Sequence, residues 1–164
     1  MARNERRISL ERFKHHSDGV VALAQIIEQA TPEKREKLIE DVQREDVHLL
    51  ASVLERTVFF EELIYLDEDI IGELVSAVPP AVLAYSLKGT DEDFRKKLCT
   101  RLGFREIKQL KDEEEQIGPQ PKHELIQGAR KEILKIARKL ESKEKFKFQL
   151  DDCPRFRHLL KKAE

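Results

Sequence analysis

Six carboxylates fall between Glu61 and Glu73 with no basic residue among them: Glu61, Glu62, Asp67, Glu68, Asp69 and Glu73. Two such groups held close together are the raw material of general acid–base catalysis. Asp67 to Asp69, however, occupy the first turn of a predicted helix, where the helix dipole favours negative charge, and this accounts for them without chemistry. The histidines His15, His16, His48, His123 and His158 are scattered, and no two stand at the four-residue spacing of a helical zinc site. Cys99 and Cys153 are far apart and form no CxxC pair, which argues against redox or metal work. No phosphate-binding glycine loop and no nucleophile elbow occurs. The residues are those of a protein that is not an enzyme and needs no cofactor and no metal.

The elements that position these residues are helices. Of 164 residues, 40% are hydrophobic and 38% charged, with only six Gly and six Pro. Aliphatic residues recur at helical spacing, so the chain reads as all-α. A short helix is expected before Ser17. Asp18 is placed to cap the next one, in which Val20, Leu23, Ala24 and Ile27 form a stripe widened by Val21, Ala22 and Ile26. Thr31-Pro32 signals a second start. Asp46 signals a third, with Val47, Leu50 and Leu54 facing inward. These helices make one three-helix unit. An apolar joint, Val58-Phe59-Phe60, follows. Further helices are predicted over about 67–78, 81–87, 91–102, 104–116 and 122–142. Gly89, Gly118-Pro119 and Pro79-Pro80 act as breaks. In the longest helix the buried line is Leu125, Ala129, Ile133, Ile136 and Leu140. Phe156, Leu159 and Leu160 suggest a last short helix.

Charge narrows the function. Lys and Arg number 31 against 32 Asp and Glu, a net charge of −1. That balance argues against a nucleic-acid partner, and the bases of 122–147 are interleaved with acids. No apolar run is long enough to insert directly into a membrane. The N-terminus lacks the apolar stretch of a secretory signal, which points to the cytoplasm.

Seven short elements, in order over about residues 18–148, carry a family likeness. They are Asp18-Gly19-Val20; Phe60-Glu61-Glu62-Leu63-Ile64 with Leu66-Asp67-Glu68; Tyr85-Ser86-Leu87-Lys88-Gly89; Arg105; Leu110-Lys111-Asp112-Glu113; Ile117-Gly118-Pro119; and Ala129-Arg130-Lys131-Glu132-Ile133 with Ala137-Arg138-Lys139-Leu140-Glu141. This pattern resembles the C-terminal part of the flagellar motor-switch family FliG. The resemblance implies armadillo-like right-handed helical repeats, a three-helix unit followed by a helical C-terminal domain. It divides the chain into a basic segment (1–17), an armadillo-like unit (18–57), a hinge (58–66) built on Val58, Phe59 and Phe60, a C-terminal helical domain (67–148) and an extension (149–164).

In that family the C-terminal domain presents a charged ridge to the membrane-embedded stator. The resemblance carries the ridge charges onto Lys88, Arg105, Asp112 and Glu113. The family's last basic residue falls on Pro121, and Lys122 beside it is the substitute. The implied partners are a stator protein of the MotA type and other rotor or switch subunits, at the cytoplasmic face of the inner membrane. The family's proteins are longer, and the resemblance does not extend over their N-terminal anchoring domain or first armadillo-like unit. Val20, Val21, Leu23, Ile26 and Ile27, which would stack on a neighbour, then need another partner or self-association through 18–56. The methionine-phenylalanine pair of the family hinge falls on Thr57-Val58, so switching is less firmly implied than torque contact. The competing expectation is a helical adaptor that kept the scaffold and binds other proteins outside the motor.

Helical geometry bears on the ridge independently. Arg105 and Asp112 are seven residues apart, two turns, so they share a face with Lys108 between them. Ile107 and Leu110 are expected to form the buried side. Positive charge at the start and negative at the end oppose the helix dipole, and each misplaced charge forgoes roughly 0.3–1 kcal/mol. Stability alone does not select such an order.

Overall fold

The computed structural model describes residues 10–14 and 17–143. The expected last helix around Phe156 and residues 1–9, 15 and 16 of the basic segment 1–17 lie outside the described residues. Among the described residues all regular structure is helical. The chain forms two compact units that divide between Thr57 and Val58.

In the first unit, α1 (Glu11–Lys14) packs on α2 (Ser17–Gln29), which packs on α3 (Pro32–Glu45) and α4 (Val47–Leu54). The approach of α1 to α2 is close. A Cβ on Gly19 would come within 2.8 Å of the Phe13 backbone, so only glycine fits there. Asp46 caps α4 as expected, its Oδ1 accepting from the Leu49 amide at 3.0 Å. Two other signals act differently. Asp18 lies inside the first turn of α2 rather than before it, where its charge still suits the dipole. Thr31 stands at the N-cap of α3 but makes no side-chain cap bond, leaving Pro32 as the start signal. Val47 is 40% exposed, because as the first residue of α4 it precedes the packed turn, and Leu49, Leu50, Val53 and Leu54 form the buried face.

The second unit begins with a 3-10 helix, Phe60–Tyr65, and continues through α5 (Glu68–Ala77), α6 (Pro80–Ser86), α7 (Glu92–Cys99), α8 (Phe104–Ile117) and α9 (His123–Ser142). α6 is the central element, packed on both α8 and α9, while α5 and the 3-10 helix each contact α7 and α9. Proline explains the start of α6. Pro79-Pro80 cannot continue a helix but suits a first turn, and Leu83, Ala84 and Ser86 are buried behind it. Asp91 caps α7 by accepting from the Phe94 amide at 2.7 Å. α7 ends at Cys99, not at Leu102 as the buried line Phe94, Leu98, Leu102 suggested. Leu102 instead is half-buried in the short turn before Gly103. α9 buries Ala129, Ile133, Leu134 and Ala137. Ile136 and Leu140 are only half-buried, and Leu125 is 49% exposed because the first turn of α9 precedes its packed stretch.

Candidate functional site

α8 presents the charged face. Gly103 is its N-cap, and the Glu106 carboxylate accepts from the Gly103 amide at 2.7 Å, closing the first turn. Gly118, with φ of +77°, ends it; an L side chain in that left-handed region is strained, which glycine avoids. Leu110 is the fully buried residue of α8. At 100° per residue the positions closest to its line are Glu106, Glu113, Glu114 and Ile117, all half-buried. Arg105 and Asp112 lie on the opposite side of the helix, and both are exposed with Lys108 between them.

One expectation about α8 needs correction. Ile107 is not part of the buried side: it is 37% exposed, although it lies as near in angle to Leu110 as the half-buried Glu113 does on the other flank, so the packed face is tilted toward the Glu113 side of Leu110. Glu113 is half-buried beside the packed line, one step (100°) round from the exposed Asp112, as its place in the sequence implies. A residue the sequence reading passed over is Phe104, 84% exposed at the start of α8 directly before Arg105. Its hydrophobicity gave no hint of exposure, and only the direction of packing reveals it.

α8 is held to α7 by Arg95 and Glu114. The Arg95 Nη2 donates to Glu114 Oε2 at 2.7 Å, and the Glu114 hydrogen bond pushes the guanidinium above its usual pKa against the opposing effect of burial. Glu114, one residue from Glu113, is therefore committed to an internal ion pair.

Lys88 enters from a different element. It follows α6, is half-buried, and lines a shallow hollow with Lys111, Glu114, Glu115, Gly118 and Pro119. Packing of α6 on α8 thus brings Lys88 to the C-terminal end of α8. Lys122 is exposed at the N-cap of α9, just after the Gly118-Pro119 turn. Lys88, Arg105, Asp112 and Lys122 are therefore carried by α8 and the segments adjoining it in the second unit.

The remaining candidate residues are placed as follows. Leu23 and Ile27 have no exposed surface, so they are core of the first unit and not part of a stacking face. Val20, Val21 and Ile26 are half-buried and retain some surface. Val58, Phe59 and Phe60 are buried, with the Phe60 ring 5.2 Å from that of Phe94. Arg101, in the turn after α7, lies across Gly72 and pairs with Asp69 at 2.8 Å, so part of the 61–73 acidity serves an ion pair. Cys99 is half-buried; burial pushes its thiol pKa up, Arg95 partly opposing, and a protonated thiol is a poor nucleophile. Among the described residues no cluster of three or more His, Cys, Asp or Glu is arranged to hold a metal, and no helix is long and apolar enough to cross a membrane.

Comparison with known proteins bears on this surface. The family model described as the FliG C-terminal domain matches residues 40–148, more than half of the chain and all of α8. The flagellar motor switch protein FliG of Vibrio cholerae is 31% identical over 122 residues, covering 74% of this chain and 35% of that protein. The Pseudomonas aeruginosa FliG is also 31% identical over 122 residues, covering 74% and 36%. The chain thus spans about a third of the length of these curated relatives. A crystal structure of a FliG fragment from H. pylori shares the fold, with a TM-score of 0.53 at 22% identity over 76% of this chain and 55% of that one. On the match over residues 40–148, this chain belongs to the FliG C-terminal domain family.

Proposed function

We propose that this chain is a rotor-side component of the bacterial flagellar motor whose α8 ridge meets a MotA-type stator protein and receives torque. The observation that carries this reading is the placement of Arg105 and Asp112 on the exposed side of α8, opposite Leu110, within the span matched by the family. Lys88 and Lys122 flank that helix, and Glu113 lies at its edge.

The chemistry suits repeated contact and release. Opposite charges on two surfaces attract over about a Debye length, ~8 Å at physiological salt. Exposed pairs contribute roughly 0–1 kcal/mol each, so several are needed for capture and none prevents detachment. No bond is made or broken, so no catalytic group is required; ion flow through the stator supplies the energy. Other rotor or switch subunits are the second class of partner, and the half-buried Val20, Val21 and Ile26 are the residues left to form a stacking edge. The site of action is the cytoplasmic face of the inner membrane at the flagellar base. Family membership over residues 40–148 favours this reading over an adaptor outside the motor.

The test is charge reversal. Arg105→Glu combined with Asp112→Lys is expected to abolish or sharply reduce swimming in the source bacterium. Protein level and melting temperature should stay near wild type, since both side chains are exposed. Normal swimming with normal protein level removes the ridge from the mechanism.

A further inference from the structure

Arg130, on α9, joins two stretches of chain that are far apart in sequence. Its Nη2 donates to the Lys88 carbonyl at 2.8 Å and its Nε to the Ser86 carbonyl at 3.1 Å. Its guanidinium carbon lies 4.9 Å from the centre of the Phe60 ring, which packs in turn on Phe94. The two carbonyls belong to the end of α6, where backbone acceptors lack helical partners and a cation is favoured. Phe60 opens the 3-10 helix at the start of the second unit.

Only arginine fits all three roles together. Its planar fork reaches two acceptors while its face stacks on a ring; an ammonium group is a point charge with no such plane. Burial pushes the Arg130 pKa down, Glu61 partly opposing, yet a guanidinium remains charged in a protein. The residues it holds form a tight turn. Lys88 donates its amide to the Tyr85 carbonyl at 3.2 Å, Gly89 adopts φ of +77°, and the Thr90 hydroxyl donates to the Leu87 carbonyl at 2.6 Å.

We infer that Arg130 is a positioning residue that ties the Lys88 turn to Phe60, so that the start of the second unit and the Lys88 flank of the ridge move as one body. The functional half of this inference rests on the ridge reading above; the tie itself does not.

Two measurements on the full chain decide it. The first is amide hydrogen exchange in Arg130→Gln and Arg130→Lys. The Lys88 and Thr90 amides are expected to exchange about tenfold faster in the glutamine variant, with lysine intermediate, while the amides of α9 keep wild-type rates. Wild-type rates at 88 and 90, or equal acceleration across the whole second unit, overturn the tie. The second is binding of the cognate MotA-type cytoplasmic loop, well below the melting temperature, with Lys88→Ala made in the wild-type and Arg130→Gln backgrounds. Lys88→Ala is expected to weaken binding in the first background and to change nothing further in the second. Full additivity overturns the functional half while leaving the ridge intact. If Lys88→Ala alone has no effect, the assignment of Lys88 to the ridge falls and the functional half with it, and exchange still decides the tie.

Discussion

α8 and α9 are both long amphipathic helices of the same unit, yet they are held very differently. α9 buries Ala129, Ile133, Leu134 and Ala137 against α5, α6 and the 3-10 helix. α8 buries Leu110 alone, packs on α6, and is braced to α7 by the Arg95–Glu114 pair. A helix packed by several side chains is a strut of the core. A helix packed through one line of side chains leaves most of its circumference to solvent, which suits it to presenting charge. The contrast separates the residues that fold the unit from those proposed to use it.

The contrast can be broken from either side. The largest effect is expected at α9: Ile133→Ala, at a position 1% exposed, should lower unfolding free energy by about 3–5 kcal/mol in urea denaturation, through lost burial and a cavity. Leu110→Ala should cost less, about 2 kcal/mol, because the lightly packed helix can settle into the space. Hydrogen exchange on that variant should show protection lost along α8 and kept along α9; equal loss along both would erase the distinction. A double-mutant cycle on Arg95→Ala and Glu114→Ala should give a coupling near 1 kcal/mol, reduced by added salt, because the pair is partly exposed. The smallest effect is expected at Phe104→Ser, within about 0.5 kcal/mol of wild type by denaturation, since a side chain 84% exposed buries little.

Much of this was legible in the chain. Asp46 announces its helix, as Thr90 or Asp91 does for α7, where Asp91 proves to be the cap, because a short polar side chain before an apolar-periodic run has a local role. Pro32, Pro80 and Gly118 are legible for the same reason, their backbone geometry being intrinsic. The errors share a different cause. Ile107, Val47 and Leu125 are apolar at acceptable helical spacing, but whether such a residue is buried depends on where a neighbouring element begins and ends. Leu23 and Ile27 fail in the opposite sense, read as an outer face when their own unit encloses them. Spacing correctly put Arg105 and Asp112 on one face and Glu113 one step round. Arg130 stood in the family-like run 129–133, but nothing there showed what it would hold. Its partners are two backbone carbonyls and a ring some 40 to 70 residues away, and no pattern within α9 encodes them.

The order of charge along α8 has an evolutionary consequence. Arg105 stands in the first turn and Glu115 in the last, both exposed and each in the less favourable electrostatic position. Substitutions that relieve this are a single residue change away and carry no steric penalty at an exposed site. A lineage that stopped using the surface would be expected to drift toward acid at 105 and base near 115, gaining stability as it did so. On the proposed ridge function, the charge order of α8 would then mark use: relatives that keep the equivalent of Arg105 ahead of the acids are expected to be those that still use the surface.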